Sequence, residues 1–408
     1  MKKLVRIIGR MNGGGPARQV AYLHRALRSS FETTLVLGKI DGGEQDMRYL
    51  LEDSMGVVEI PSMSSSVKVW SDLVSFVRIT RLLLRTKPDI VHTHTAKAGV
   101  LGRLAAFLAG VPIRVHTYHG NVFQGYFGKT ATGLIIAIER LLNKLTTRVI
   151  AISDSQAEEL AERFRVVRRE DIAIVRNGFD LKALTDLDNL RCGARRNLNV
   201  NDDELLVVWA GRLVPIKNVP LLLEVVRQTT RLTRVKFLVV GDGPLRQDIT
   251  KASHSWGNLQ FVGWQKDMKP ILSAADIALL TSLNEGTPAF LIEAMAAGKP
   301  FISTAVGGVS DLAKPPAKEI SSHCRMAANG FLTSADPEVI VSCIEELAAS
   351  PDLAREMGAA GRSFVLANYG QDRLAGELTE LYQGLLTFSG TPGHARTLEG
   401  PIRGNLNN

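Results

Sequence analysis

Two glutamates, Glu285 and Glu293, are separated by seven residues, a spacing that suggests a role in binding a ligand. A carboxylate can accept hydrogen bonds from two neighbouring hydroxyl groups, so such a pair suits recognition of a ribose or a hexose. An isolated pair of glutamates is more often two solvated side chains near the ends of a helix. The significance of the pair therefore depends on the elements that position it.

A strand, a tight loop and a helix are predicted around the two glutamates. The apolar run 277–280 predicts a buried parallel strand. Thr287 and Pro288 predict a helix N-cap and a first helical residue, and Gly298 predicts the end of that helix. A helix N-terminus at the carboxyl end of a parallel sheet offers unpaired N–H groups, so we expect a phosphate to bind there.

Two cations five residues apart, Arg212 and Lys217, follow the predicted strand 205–210 and Gly211. Fixed cations at this place can neutralise a diphosphate and stabilise the charge that grows on a leaving nucleoside diphosphate. A single Arg/Lys pair on a surface is usually only solvated. The buried strand that leads into this pair favours the functional interpretation.

Glycines and histidines end the predicted strands of the N-terminal half. Gly13, Gly14 and Gly15 lie between the predicted strand 3–9 and a helix, and they allow close approach of the backbone to a ligand. The pattern is not GxGxxG, so a nicotinamide enzyme is not favoured. His119 closes the predicted strand 113–118, where ligands of α/β proteins bind, although a lone histidine is more often structural.

Charge is distributed unevenly along the 408 residues, whose net charge is +8. Residues 1–180 carry 26 Lys and Arg against 17 Asp and Glu, whereas residues 181–408 carry 23 against 24. This asymmetry indicates an anionic partner. Nucleic acid is not favoured because no basic motif is interleaved with aromatic residues. An anionic membrane surface fits better, and a merely solvated basic face is the alternative.

Length and composition predict a two-domain globular protein. We expect a first domain over residues 1–180, a linker and the entry to the second domain over 181–204, a second domain over 205–370 and a helix over 371–387 that crosses back to the first domain. The tail from residue 388 to 408 has a composition typical of disorder. No apolar run is long enough to span a membrane, and three cysteines without pairing or metal spacing suggest a reducing, cytoplasmic compartment.

These sequence motifs, in their order along residues 3–387, resemble those of the retaining glycosyltransferases of family 4, which build bacterial surface polysaccharides. The resemblance is carried by the two-glutamate segment, by Gly211-Arg212 with Lys217, and by the phrase that runs from Val115 to Phe127. It implies the GT-B fold, an α/β fold of two Rossmann-like, doubly wound parallel-sheet domains that face each other across a cleft. Residues 314–328 depart from the pattern and resemble an insertion.

The resemblance also implies a reaction and a set of residue roles. The reaction moves a hexose-type sugar from a nucleoside diphosphate, UDP or GDP, to a hydroxyl acceptor with retention and without a metal or other cofactor. Arg212 and Lys217 would clamp the β-phosphate, while Glu285 and His119 would hold the donor sugar. The other donor-binding residues implied are Gly13, Gly14, Gly15, Gly263, Trp264, Gly286, Thr287, Pro288, Ala289, Glu293 and Gly307.

The implied acceptor is a glycan or a lipid-linked intermediate of lipopolysaccharide, capsule or exopolysaccharide synthesis. We assign the aromatic residues Phe123, Tyr126 and Phe127, with Lys97, to the acceptor or membrane side, since aromatic residues beside cations suit a lipid interface. Ordinary core packing is the alternative for these aromatics. The expected location is the cytoplasm, including the inner face of the membrane. A sugar-nucleotide epimerase of the same fold and a non-catalytic scaffold remain open alternatives.

Overall fold

The structure, a computed structural model, describes residues 1–12, 15–40, 46–51, 55–64, 66–120 and 128–389. The chain divides into two compact units. Unit 1 comprises Met1–Gly178 together with Gln371–Asn408, and unit 2 comprises Phe179–Gly370. The predicted disorder of the tail falls on residues 390–408, which lie outside the described residues, whereas 388 and 389 continue a helix.

The strands and helices are numbered along the chain. The strands of the described residues are β1 Lys2–Ile8, β2 Phe31–Gly38, β3 Val57–Ile60, β4 Ile90–His94, β5 Ile113–Tyr118, β6 Arg148–Ala151, β7 Ile172–Ile174, β8 Leu205–Ala210, β9 Val235–Val240, β10 Leu259–Gly263, β11 Ile277–Leu280, β12 Phe301–Thr304, β13 Ala317–Ser321, β14 Cys324–Ala327 and β15 Gly330–Thr333. The α-helices are α1 Gly15–Ala26, α2 Val69–Thr86, α3 Ala96–Leu108, α4 Lys129–Lys144, α5 Asp154–Glu158, α6 Asp188–Asn197, α7 Val219–Gln228, α8 Arg246–Ser255, α9 Lys269–Ala274, α10 Ala289–Ala296, α11 Pro337–Ala349, α12 Pro351–Asn368 and α13 Gln371–Ser389.

Unit 1 is built on a seven-stranded parallel sheet in the order β3-β2-β1-β4-β5-β6-β7. Apolar residues alternate between its two faces because successive strand side chains point to opposite sides. One face packs Leu4 and Val115 against α1 and α13, and the other packs Val5 and Val91 against α2 and α3. Helices therefore cover both faces, as in a doubly wound fold.

Unit 2 is built on an eight-stranded sheet in the order β10-β9-β8-β11-β12-β15-β14-β13. One face packs Val207 and Trp209 against α7 and α11, and the other packs Val208 with α6 and α9. Two sheets with mostly parallel strands and helices on both faces confirm the predicted α/β class.

Residues 314–328, predicted as an insertion, form the antiparallel hairpin β13–β14 at the edge of the sheet of unit 2. Strand β13 is exposed along its whole length, while Cys324 of β14 is buried against Cys343 of α11, with the two Sγ atoms 3.5 Å apart. The segment thus extends the sheet rather than forming an irregular loop.

One local expectation was wrong. Thr287 is not the N-cap of α10, because Pro288 occupies that position with extended backbone angles. The segment 181–204, expected as a linker and the entry to the second domain, contains the helix α6, which belongs to unit 2. Helix α5 is capped by Ser153, whose hydroxyl accepts a hydrogen bond from the backbone N–H of Gln156.

Candidate functional site

The predicted donor-binding residues of unit 2 lie at the carboxyl ends of four strands of one sheet, β10, β8, β11 and β12. Backbone hydrogen bonds join the loops that leave these strands and β9. Leu283 N donates to Ile216 O at 2.8 Å, and Gly308 N donates to Glu285 O at 3.0 Å. Parallel strands end at one edge of a sheet, so these loops form one continuous rim on unit 2.

Lys217 and Glu285 form an ion pair within this rim. Ser282 donates a hydrogen bond from Oγ to the same carboxylate atom, Oε1, at 2.5 Å. The side chains of Lys217 and Glu285 are only 16% and 10% exposed, so the pair is held in place by its surroundings. Glu285 Oε2 has no hydrogen bond among the described residues and can accept one from a ligand.

The backbone behind Lys217 is fixed from the core. Thr281, which is fully buried, donates from Oγ1 to the carbonyl oxygen of Lys217 at 3.0 Å and accepts from Nε1 of Trp209 at 3.1 Å. This network connects the end of β11 to the loop after β8. Arg212 differs, because its side chain is exposed and forms no ion pair with any described residue.

Gly307 is required where the rim is most crowded. Its φ is +48°, and a Cβ added there would lie 2.2 Å from the carbonyl oxygen of Glu285. Only glycine therefore allows the loop after β12 to approach the loop after β11 so closely. The helix N-terminus at Pro288 lies on the same rim and has no side-chain cap among the described residues, so its first N–H groups can receive an anion.

The remaining predicted residues of unit 2 occupy the same edge. Glu293 lies half-buried in α10, one turn beyond the helix start. Gly263 has a φ of +68° and lets Trp264, 42% exposed, follow the end of β10. The structure thus brings together on one rim the unit 2 residues implied by the resemblance, and their roles stay predictions.

Unit 1 holds a second group of polar residues at the carboxyl ends of β4 and β5. His94, 2% exposed, hydrogen bonds through Nδ1 to Nε2 of His119 at 2.9 Å and through Nε2 to an Nη atom of Arg6 at 3.1 Å. His92 contacts the hydroxyl of Tyr382 at 2.5 Å and that of Thr117 at 2.7 Å. His119, one of the predicted site residues, is therefore part of a buried network.

Arg6 is fully buried on β1 and has no carboxylate partner among the described residues. Burial lowers its pKa to about 10. The same burial, reinforced by the charge of Arg6, lowers the pKa of His119 to about 3 and moves the pKa of His92 and His94 well below the usual value. These histidines are therefore neutral at pH 7.

Several predicted residues of unit 1 are not gathered into this network. Lys97 ion-pairs with Asp72 at 2.6 Å, so its charge is already compensated. Gly15 begins α1 with open space around its Cα. Gly13 and Gly14, and the aromatic residues Phe123, Tyr126 and Phe127, lie outside the described residues.

Three polar partners were missed in the sequence. Arg6 lies inside the apolar strand Lys2–Ile8, and a cation within such a run already signals a buried charge. Ser282, adjacent to Thr281, and Tyr382, on the last helix, gave no signal because their partners are distant in sequence. In the part of the chain that the structure describes, no three His, Cys, Asp or Glu side chains are grouped to hold a metal ion.

The family comparisons match both halves of the chain. The model described as Glycosyltransferase Family 4 matches residues 13–183, and that described as Glycosyl transferases group 1 matches residues 204–350. An Escherichia coli UDP-Gal:alpha-D-GlcNAc-diphosphoundecaprenol alpha-1,3-galactosyltransferase is 32% identical over 271 residues, which are 65% of this chain and 70% of that protein.

Two further proteins extend the comparison. The Staphylococcus aureus capsular polysaccharide biosynthesis glycosyltransferase CapM is 24% identical over 84% of this chain and 89% of its own length. The crystal structure of Anabaena Alr3699/HepE in complex with UDP and glucose has a TM-score of 0.75 and 19% identity, and covers 94% of this chain and all of that one. This likeness confirms the GT-B fold.

The fold of the two units and the two family models place the chain among the glycosyltransferases. The chain belongs to glycosyltransferase family 4 and is a glycosyltransferase of bacterial surface glycan biosynthesis. No helix of the described residues is both long enough and apolar enough to cross a membrane.

Proposed function

We propose that this glycosyltransferase moves a hexose from a UDP-sugar to a hydroxyl group of a lipid-linked glycan intermediate, with retention of the anomeric configuration and without a metal. The observation that carries the proposal is the Lys217–Glu285 pair on the rim of unit 2, beside the N-terminus of α10, which no side chain of the described residues caps. Cations and free N–H groups receive the diphosphate, and carboxylates receive the sugar hydroxyls.

Each residue of the rim has a distinct task in this proposal. Arg212, which has no ion-pair partner among the described residues, binds the β-phosphate directly. Lys217 is held by Glu285 and therefore reaches the phosphate without losing much side-chain freedom. Glu285 Oε2 accepts a hydrogen bond from the donor sugar, and Glu293 accepts one from the ribose.

The reaction breaks the bond between the anomeric carbon and the β-phosphate oxygen. The acceptor oxygen forms its bond to the anomeric carbon on the same face, and its proton passes to the departing phosphate oxygen. UDP leaves with the electron pair of the broken bond, so negative charge grows on the phosphate in the transition state. Arg212 and Lys217 stabilise that charge, which is where electrostatic catalysis is strongest.

The choice of donor and acceptor rests on the relatives. The Escherichia coli relative is named for a UDP-Gal donor and a diphosphoundecaprenol acceptor, and the Anabaena structure is a complex with UDP and glucose. These names support UDP over GDP and a lipid-linked acceptor. The excess positive charge of residues 1–180 supports an anionic membrane surface as a further partner and the inner face of the membrane as the location.

Calorimetric titration with UDP and with GDP tests the donor site. We expect UDP to bind and GDP to bind at least tenfold more weakly. Glu293→Ala is expected to weaken UDP binding tenfold or more, because a hydrogen bond to a charged group contributes about 1.5–3 kcal/mol. Glu356→Ala, on the exposed surface of α12, is the matched control. Equal binding of UDP by all three proteins would contradict the site.

Product analysis tests the reaction itself. Incubation with UDP-galactose or UDP-glucose and a diphosphate-linked lipid sugar is expected to give an α-linked product by proton NMR, with metal chelator present. A β-linkage would overturn retention, and complete loss with chelator would overturn metal independence. Conversion of the UDP-sugar into an isomer without any acceptor would establish the epimerase instead. UDP binding without either reaction would favour the scaffold.

A further inference from the structure

Helix α2 of unit 1 is apolar on two opposite faces. Its inner face, with Ile79 and Leu83, is buried against the sheet and α3. At 100° per residue, the opposite face is equally rich in large apolar side chains, yet they are exposed. These side chains are Val69, Trp70, Leu73, Val74, Val77 and Leu84. A helix that is apolar on two opposite faces needs a second apolar partner, and the described residues of the chain offer none.

Exposure along this outer face is high at its beginning. Trp70 is 80% exposed, Val69 is 78% exposed and the preceding Val67 is 84% exposed. Trp70 in the first turn has the position of an interfacial anchor, since its indole combines an apolar body with a polar N–H. The length of α2, 18 residues, suits a helix that lies along an interface.

Three arginines flank the exposed apolar face. Arg78, Arg81 and Arg85 are exposed and form no ion pair with any described residue. Asp72, the acidic residue of the helix, lies on the other side and pairs with Lys97 at 2.6 Å. The outer face therefore carries uncompensated positive charge beside a contiguous apolar surface.

A second copy of the chain fits this surface poorly. In a twofold-symmetric contact the same patch meets itself, so the unpaired arginines of one copy would approach those of the other. An anionic lipid surface satisfies both properties, because acyl chains receive the apolar side chains and headgroups receive the guanidinium groups.

We propose that the outer face of α2, from Val67 to Arg85, docks the enzyme onto an anionic lipid surface. The proposal identifies the helix that contacts the membrane surface given as a partner under the proposed function. Its biological purpose rests on that proposed function. Helix α3 packs between α2 and α4, and α4 exposes Leu134, Ile138 and Leu141 in one stripe, which extends the apolar surface of the same helical layer.

Vesicle sedimentation tests the proposal on the full chain. We expect binding to phosphatidylglycerol-containing vesicles, at least tenfold weaker binding to pure phosphatidylcholine, and weakening by high salt. The variant Trp70→Ser/Leu73→Ser/Val77→Ser and the variant Arg78→Glu/Arg81→Glu/Arg85→Glu are each expected to lose at least tenfold in vesicle binding. The control Leu190→Ser/Leu366→Ser removes comparably exposed apolar side chains from unit 2.

UDP titration of the same variants separates this proposal from the donor site, since α2 contributes no residue to the rim of unit 2. Retained UDP affinity with lost vesicle binding supports the docking surface. Unchanged vesicle binding in both α2 variants overturns it, whatever the UDP result. A dimer in sedimentation equilibrium that the α2 variants convert to a monomer would establish the second copy as the occupant instead.

A different set of contacts carries an independent inference about Arg6. A guanidinium can only donate, so the 3.1 Å contact requires Nε2 of His94 to accept. Neutral His94 then carries its proton on Nδ1 and donates it to Nε2 of His119 at 2.9 Å. Neutral His119 must in turn carry its proton on Nδ1, a buried atom without a partner in the described structure.

We infer that Arg6 and His94 are positioning residues that fix His119 as an Nδ1–H donor to a substrate oxygen. Arg6 can donate but cannot accept a hydrogen bond. Each hydrogen bond from Arg6 through His94 to His119 is therefore donated toward His119. A buried N–H without a partner is costly, so its retention at a predicted site residue points to a ligand that satisfies it. The role of the ligand rests on the proposed function, whereas the proton positions do not.

Nitrogen-15 NMR of the histidine side chains tests the proton positions directly, with His94→Gln and His119→Gln for assignment. Both rings are expected in the Nδ1–H form, to remain so in Arg6→Lys, and to change to Nε2–H in Arg6→Met. An Nε2–H form of His119 in the unsubstituted protein overturns the inference, even if Arg6→Met does not fold. Arg6→Met is expected to lower sugar transfer at least tenfold with UDP affinity within twofold of the original.

Discussion

Unit 1 and unit 2 share one architecture but distribute charge and apolar surface differently. Among the described residues, fourteen large apolar side chains are exposed in unit 1 and five in unit 2. The positive charge of residues 1–180 has no counterpart in residues 181–408. The sheet fixes the fold in both units, and the surfaces and buried polar groups set the difference between them.

Buried arginines show the contrast most directly. Arg195 of unit 2 meets Asp276 at 3.1 Å and several backbone carbonyl oxygens. Arg103 of unit 1 meets Glu139 at 2.7 Å. Among the residues that the structure describes, Arg6 has only the Val20 carbonyl oxygen and a neutral histidine as partners. A structural ion pair needs no substrate, but a buried cation with neutral neighbours indicates a site where charge serves another purpose.

Lowering the pH is expected to produce the largest difference in stability between the two units. Five histidines of unit 1, four of them buried and His119 half-buried, have lowered pKa values, about 4 for His24 and about 3 for His119, whereas His254 and His323 of unit 2 are exposed. Below pH 6.5 the unfolded chain binds protons that the folded unit does not, so stability falls as pH falls. Each histidine contributes about 1.4 kcal/mol per pH unit.

Because all five histidines belong to unit 1, the loss of stability between pH 6.5 and about 4 is expected to be concentrated in that unit. Hydrogen exchange read by peptide mass spectrometry is expected to show unit 1 opening first in this range. His116→Asn is expected to reduce the pH dependence, and His254→Gln is the control. Equal opening of both units down to pH 4 would contradict the buried neutral histidines.

The buried ion pair of unit 1 gives the next largest expected effect. Glu139→Leu leaves Arg103 buried without its carboxylate and removes the acceptor of the Tyr118 hydroxyl at 2.6 Å. We expect unit 1 to lose about 3–5 kcal/mol in its free energy of unfolding. Urea unfolding followed by hydrogen exchange measures each unit separately.

Asp276→Asn is the corresponding change in unit 2. It is expected to have a smaller effect on that unit, because Arg195 keeps the carbonyl oxygens of Ala274 and Glu204 and the amide retains an acceptor oxygen. An equal loss in both variants would show that the carbonyl oxygens do not compensate the charge of Arg195.

Lys217→Met compares the effect on turnover of losing a cation from the rim of unit 2 with that of losing a cation from the opposite edge of the same sheet. Loss of a cation that stabilises the leaving phosphate is expected to reduce kcat about 10²–10³-fold. Lys236→Met is the matched control, since Lys236 pairs with Glu204 at 3.7 Å at the amino end of β9. A similar loss of turnover in both variants would assign the effect of Lys217 to stability rather than to chemistry.

Arg212→Ala has the smallest expected effect, because the side chain is exposed. UDP affinity measured by calorimetry is still expected to fall by more than the ~1 kcal/mol typical of a surface charge. Arg234→Ala, 77% exposed in its side chain, is expected to leave the affinity unchanged. An unchanged dissociation constant for Arg212→Ala would remove it from the phosphate site.

Much of the fold could be predicted from local sequence. The predicted strands 113–118, 205–210 and 277–280 coincide with β5, β8 and β11. Parallel strands buried on both faces are continuous apolar runs that end at glycine or polar residues, and this signal is local. The glycine-punctuated loops after these strands likewise marked the rim of unit 2.

Other features depended on contacts between distant residues. Helix α6 was missed because its polar sequence gains order through Arg191 and Arg195, which bind Asp276 about eighty residues later. Strand β3 is short and only partly buried, so its apolar pattern was weak. Thr287 was assigned as the N-cap from residue type, whereas the loop geometry placed Pro288 there.

The sequence by itself determined the two α/β units, the family and the residues at the strand ends, because periodicity and spacing are properties of the chain alone. Only the tertiary structure decided that Lys217 pairs with Glu285, that Arg6 orders the histidines, and that α2 presents apolar side chains on both faces. Burial and partner choice arise from residues brought together across the sheet, and no local pattern encodes those distances.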